Sequence, residues 1–182
     1  MKTLVLLPPG VEEMEAVIVV DCLRRAELEV LVAGLTDRQV IASRGVNLVA
    51  DVLLAEIETT DVDRLVLPGG MGGTLAMCGD ERVLELVRQF AGGAGRHLAC
   101  ICAAAMVLDQ AGVLEGRRFT CHPSVADRIP SGTRLDDRVV VDGNLTSSQG
   151  PGTAFEFALE LIRQSLGDDA AASVAGPMIL PN

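Results

Sequence analysis

Four short stretches of the chain are apolar without alternation: residues 4–7, 30–33, 65–67 and 98–101. Runs with no polar face read as strands of a parallel sheet covered on both sides. Between them the period changes to that of helices. Residues 12–26 carry Glu12, Glu13 and Glu15 in a first turn and Arg24-Arg25 in a last one, which suits the helix dipole. Met14, Val17 and Ile18 lie on one face of that helix, and Cys22 falls on its buried stripe. Asp80 caps a helix with Val83, Val87 and Phe90 on one stripe, and Gly92-Gly93 stops it. Thr153 opens another, with Phe155, Ala158, Leu159, Ile162 and Leu166 as its buried stripe, and residues 170–174 add a short last helix.

Three stretches break this rhythm. Residues 40–51, flanking Arg44-Gly45, form a hairpin or a small crossover. Residues 119–121 are a short strand leading into His122-Pro123. Residues 139–141 and 145–147 flank Asp142-Gly143, a type I′ hairpin signal. Strands alternating with helices predict an α/β fold with a doubly wound parallel sheet, and 182 residues predict one domain over 1–182. Ligands of such sheets bind outside the carboxyl ends of the strands. Those ends deliver Pro9-Gly10 with the acidic turn, then Gly69-Gly70, then Cys102, with His122 after a fourth strand.

Cys102 is the centre of this arrangement. The strand over 98–101 stops at it, and a helix over 103–108 follows with no loop, so the cysteine sits at a sharp elbow of the kind that presents nucleophiles. The helix N-terminus there favours negative charge, so the thiol is expected to ionise more easily than free cysteine. A carboxylate cannot easily ionise beside a thiolate. If Glu15 lies against Cys102, it should hold its proton and donate a hydrogen bond to the sulfur. Glu12 and Glu13 read as solvated acids. Gly70 allows a backbone N–H to point at a substrate oxygen, as an oxyanion hole requires. His122 is either hydrogen-bonded structure or a proton shuttle; His97 reads as a surface residue. Arg44 is a turn residue, a contact across a dimer or a neighbour of the site.

Composition narrows the function. A net charge of −10 with no Trp or Tyr argues against a nucleic-acid partner. The first apolar run is too short for a signal or membrane segment, and five cysteines without framework spacing suggest a reducing compartment, so a cytoplasmic location is expected. Cys100 and Cys102 form C-x-C, but no second pair supplies further ligands, so no metal is expected. Cys100 reads as core, and Cys78 and Cys121 are not placed by pattern.

Five segments in order resemble the ThiJ/PfpI superfamily over nearly the whole chain, closest to the branch of the Parkinson's-disease-associated deglycase. They are Gly10-Val11-Glu12-Glu13-Met14-Glu15, Ser43-Arg44-Gly45-Val46, Leu67-Pro68-Gly69-Gly70, Ala99-Cys100-Ile101-Cys102-Ala103 and Gln149-Gly150-Pro151-Gly152-Thr153. The resemblance implies a flavodoxin-like three-layer sandwich that dimerises. It implies that Cys102 is the reactive cysteine, that Glu15 is the carboxyl group beside it, and that the N–H groups of Gly70 and Ala103 bind an oxyanion. In one branch a histidine falls where His122 stands. Ala104-Ala105 depart from the Gly-Pro or Ala-Pro often found there. The implied activity is a cofactor-free glyoxalase or deglycase acting on methylglyoxal or its protein adducts, in carbonyl and oxidative stress. The alternative is a redox-sensing stress protein or chaperone controlled by oxidation of Cys102 to sulfinate. Peptidase relatives carry a histidine directly after the cysteine, where this chain has Ala103, and amidotransferases of similar fold need a His-x-Glu that His122-Pro123-Ser124 lacks.

Overall fold

The structure, a computed structural model, describes residues 1–180. In chain order, β1 (Lys2–Leu7), α1 (Glu13–Arg25) and β2 (Glu29–Gly34) come first, followed by the hairpin β3 (Gln39–Ile41) and β4 (Asn47–Val49) and the edge strand β5 (Val52–Leu53). Then come β6 (Arg64–Leu67), α2 (Met71–Cys78), α3 (Glu81–Gly92), β7 (His97–Ile101), α4 (Ala105–Gln110), β8 (Arg118–Phe119) and β9 (Thr133–Arg134). The chain continues through β10 (Val139–Asp142), β11 (Leu145–Ser148), α5 (Ala154–Leu166) and α6 (Asp168–Ala175).

Seven strands form the central sheet in the order β10-β11-β7-β6-β1-β2-β5. Only the β10–β11 pair is antiparallel. One face, with Leu4, Leu6, Leu65, Leu67, Leu98 and Cys100, packs against residues of α2, α3 and α4. The other, with Val5, Val66, Ala99 and Ile101, packs against α1 and α5. Each strand therefore spends both faces on core, which is why none of the four shows alternation. This is the flavodoxin-like three-layer architecture that the resemblance implies.

Several local expectations change. The 119–121 strand is β8, two residues long, paired with β9 in a separate small sheet and not with the central one. Its partner strand β9, and likewise α2 and β5, carry no clear signal in the hydrophobic pattern. In the β10–β11 hairpin Asp142 pairs with Leu145, so the loop is Gly143-Asn144. Gly143 has φ +60° and Asn144 is not left-handed, the pattern of type II′ rather than I′. On α1 the buried residues are Glu13, Glu15, Ala16, Val19, Cys22 and Leu23, whereas Met14 and Val17 are 54% and 49% exposed. Two acids have taken the inward first-turn positions, and the apolar stripe is rotated accordingly. On α5 the buried stripe is Ala154, Phe157, Ala158, Leu161 and Ile162; Phe155 and Leu159 are half-buried and Leu166 is exposed.

Candidate active site

Cys102 follows the last residue of β7 and opens a 3₁₀ turn, Cys102–Ala104, that runs straight into α4. Its φ is +64°, one of three non-glycine residues in the left-handed region among the described residues. A side chain is held there only where surrounding packing over-determines it, and such strain concentrates at functional sites. Ile101, Ala103, Ala104 and Ala105 are all buried and fix the chain on both sides.

Two glycines let the neighbours close in. A Cβ on Gly69 would stand 2.6 Å from the Cys102 Cβ and 2.7 Å from Glu15 Oε2. Gly70 has φ +87°, and a Cβ there would meet Glu12 N at 2.5 Å and Gly10 O at 2.6 Å. The turn after β6 is thus wedged between the turn after β1 and the elbow. Its position is fixed by Glu12 N–H donating to Gly69 O at 2.9 Å and Thr74 N–H donating to Gly70 O at 2.8 Å. The backbone N–H groups of Gly70 and Ala103 both act on the Cys102 sulfur, favouring its anion.

Glu15 is fully buried. Its Oε2 accepts from Gly69 N–H at 2.7 Å, and its Oε1 has no partner among the protein atoms. Burial pushes its pKa up to about 7, against the Gly69 N–H and a hydrogen bond with Cys102. Burial, then the Glu15 charge and hydrogen bond, push the Cys102 thiol up to about 12, against the Ala103 and Gly70 donors. The helix end does not by itself make this thiol acidic: with Glu15 ionised the sulfur keeps its proton. The two groups form a coupled pair that carries one negative charge, not two. When Glu15 holds the proton, its charge no longer opposes the thiolate and its O–H becomes a donor to sulfur, so the first effect vanishes and the second changes sign.

The sulfur opens into a cleft of about 520 Å³ whose lining includes Gly10, Glu12, Arg44, Gly70, Ala103 and His122. Cys102, Gly70, Ala103 and His122 thus line one cleft, with Glu15 beneath them. His122 is held to the elbow by its own N–H, which donates to Cys102 O at 3.2 Å. It caps a 3₁₀ stretch, Pro123–Arg128, by accepting from Ser124 N–H. Arg44 lies at the rim. His97 begins β7 at the far end of the sheet.

Glu12 and Glu13 are not merely solvated. Glu12 caps α1 by accepting from Glu15 N–H at 2.9 Å, which sets the first turn that carries Glu15. Glu13 is buried; it accepts from Ser43 Oγ–H at 2.8 Å and Arg44 N–H at 2.9 Å, tying the hairpin loop to the cleft. Ser43, Ser124 and Pro151 also line the cleft. Sequence periodicity carries no signal for the Glu13 contacts, because they join α1 to the distant hairpin loop. Among the described residues no cluster of three or more His, Cys, Asp or Glu is placed to hold a metal. No described helix is long and apolar enough to cross a membrane.

Fold and elbow define a class: a flavodoxin-like α/β protein that presents a cysteine at the carboxyl edge of its sheet. The DJ-1/PfpI family model matches residues 1–164, and the chain belongs to that family. It is 42% identical over 182 residues to protein dj-1beta of Drosophila melanogaster, covering 98% of this chain and 97% of that one. The crystal structure of Drosophila DJ-1beta superposes with a TM-score of 0.94 at 41% identity over the whole of both chains. The glutathione-independent glyoxalase DJR-1.2 of Caenorhabditis elegans is 36% identical over 183 residues, covering 98% of this chain and 96% of that one. The chain also matches DJ-1 homolog B of Arabidopsis thaliana, 42% identical over 168 residues, but spans only 38% of that protein's length against 91% of its own.

Proposed function

We propose that residues 1–182 form one catalytic domain, a cysteine-dependent glyoxalase or deglycase that converts methylglyoxal, or its adducts on protein amines and thiols, to lactate. The observation that carries this reading is the meeting of a strained, cleft-facing Cys102 with the Gly70 and Ala103 N–H groups and the buried Glu15 carboxyl. The glyoxalase name of the nematode relative supports the same reaction class.

The chemistry balances without a cofactor. The Cys102 thiolate forms a C–S bond to the aldehyde carbon, and the carbonyl pair moves onto oxygen, where the Gly70 and Ala103 N–H groups receive it. Glu15 gives its proton to the adduct's oxygen and, now a carboxylate, takes the hydrogen on that carbon as a proton and returns it to the neighbouring carbonyl carbon. The resulting lactoyl thioester is cleaved by water, releasing lactate and restoring the thiol. The sum is methylglyoxal plus water to lactate. A carboxyl that titrates at about 7 is well placed to both give and take the proton. The test is lactate formation by pure protein from methylglyoxal; no product above a Cys102→Ser control removes the reading.

Exposed apolar side chains support a homodimer. Met14 and Val17 on α1, with Ile41, Val46 and Val49 on the hairpin, are between 46% and 72% exposed. A soluble chain seldom leaves such a group bare unless a partner covers it.

A second reading is favoured by the unpartnered Glu15 Oε1. A protonated carboxyl there could donate to an oxygen of a Cys102 sulfinate, making the site a peroxide-responsive switch or the control point of a stress chaperone. Mass spectrometry after mild peroxide separates the cases. A two-oxygen gain confined to Cys102 supports the switch, and oxidation scattered over several cysteines removes it.

A further inference from the structure

We infer that Ser124 is a positioning residue that fixes His122 as the tautomer with its proton on Nε2, so that His122 serves the cleft as a hydrogen-bond donor and not as the base. This rests on the proposed carbonyl chemistry of the same site, but its main observable does not.

The argument starts from one nitrogen. Ser124 N–H lies 3.2 Å from His122 Nδ1, and Ser124 Oγ lies 2.8 Å from the same atom. A backbone amide can only donate. Nδ1 must therefore present its lone pair, and the neutral ring carries its proton on Nε2. With Nδ1 bare, the Oγ contact is attractive only if the hydroxyl also donates. The lone pair of Nδ1 is thus shared between two donors from a single residue. The contact is built into the backbone: His122 caps the 3₁₀ stretch that Ser124 belongs to, and its own N–H is held by Cys102 O at 3.2 Å. Both ends of the histidine are tied, one to the elbow and one to the turn. The ring lies beside Gly150, where an added Cβ would stand 3.3 Å from its Cδ2.

The consequence is a division of labour. In the neutral ring the acceptor nitrogen is occupied and the other is already protonated, so His122 has no lone pair with which to take a proton from carbon. That task falls to Glu15. What His122 offers is an N–H. The reacting dicarbonyl has two oxygens; the Gly70 and Ala103 N–H groups serve the one on the attacked carbon, and Nε2–H serves the one on its neighbour. The substrate class is then an α-dicarbonyl, both of whose oxygens are acceptors when they arrive and carry negative charge in turn.

Ring nitrogen NMR on the whole chain tests the assignment directly. The chain has two histidines, so loss of one signal set in His122→Gln identifies the other as His97. The expected spectrum of the neutral ring shows Nε2 protonated and Nδ1 bare; a neutral ring with its proton on Nδ1, or an even mixture, overturns the inference whether or not the protein turns over methylglyoxal. Ser124→Ala keeps the backbone donor but loses the hydroxyl, so Nε2 should stay the majority site of the proton by a smaller margin, and Ser124→Thr, which keeps a hydroxyl, should restore the full margin. Turnover supplies the second arm. Glutamine places an amide N–H near Nε2 but cannot act as a base, so His122→Gln should lower kcat by about tenfold or less, while His122→Leu should lower it further. A His122→Gln variant as impaired as His122→Leu, in the range of about 10²–10⁴-fold expected for loss of a general base, would show that the ring does take the proton.

Discussion

Cys100 and Cys102 stand two residues apart and share one strand end, yet the structure treats them in opposite ways. Cys100 is fully buried within β7, with extended neighbours and apolar contacts, and burial drives its pKa far up with no donor to oppose it. Cys102 is also driven up by burial, but it faces two backbone N–H groups, an acid that can hold its proton, and a cleft. Burial alone makes a thiol inert. Reactivity here depends on where the chain turns, since the left-handed residue at 102 is what aims the sulfur away from the core and puts the N–H of Ala103 behind it.

The largest effect should come from removing the two sulfurs in turn. Cys102→Ser should lower lactate formation by about 10³-fold or more, roughly 4 kcal/mol of transition-state stabilisation. Cys100→Ser should leave turnover within about threefold, yet cost about 1–3 kcal/mol of folding stability because a hydroxyl is left unpaired in the core. Turnover assays and urea unfolding read the two losses separately. A Cys100→Ser variant that is well folded but inactive would break the contrast.

Glu15 sharpens it next. Its folded pKa of about 7 is raised above the ordinary 4.5, so its contribution to stability is fully present below pH 4.5 and is lost as pH rises through 7. At about 1.4 kcal/mol per unit, that loss is roughly 3 kcal/mol. Glu15→Gln cannot titrate, so urea unfolding of the variant should show a flatter profile between pH 4.5 and 7.5. Identical profiles would mean that the carboxyl is not buried beside the sulfur.

Alkylation measures the sulfur itself. Because Glu15 and Cys102 share one proton, the pair loses its first proton at about 7, and some thiolate appears at that point. The rate of iodoacetamide labelling of Cys102 should rise once, with a midpoint near 7, and then level off. A midpoint at or above the ordinary thiol value of about 8.5 would remove the thiolate from the mechanism. Cys100 should not label in the folded protein.

The four core strands and the elbow at Cys102 were legible because each rests on a short-range signal. The uniformly apolar runs mark doubly covered strands, and the abrupt passage from residue 101 to 103 marks the elbow. Glu15, Gly70, Ala103 and His122 all stand where the strand ends deliver them. What pattern did not show is what depends on contacts between elements. Glu13 reads as solvated because nothing near it in sequence announces Ser43 and Arg44 thirty residues on. The helix faces of α1 and α5 come out rotated because hydrophobicity alone cannot distinguish a side chain facing the sheet from one left for another surface. Met14 and Val17 are apolar and exposed, while Glu15 is acidic and buried. The His122–Ser124 contact is local, but its meaning depends on which nitrogen the backbone reaches.

The smallest prediction tests the backbone at the two cysteines, with alanine as the reference in each case. At position 102 φ is +64°, where a Cβ is strained and glycine is not. Cys102→Gly should therefore be more stable than Cys102→Ala by about 1 kcal/mol. At position 100 the chain is extended within a paired strand, and glycine brings only extra chain entropy and lost packing. Cys100→Gly should be less stable than Cys100→Ala by about 1 kcal/mol. The sign should reverse over two residues, and urea midpoints of four variants suffice to see it. If glycine is worse than alanine at both positions, residue 102 stores no strain, and the elbow aims its sulfur without any conformational cost to the chain.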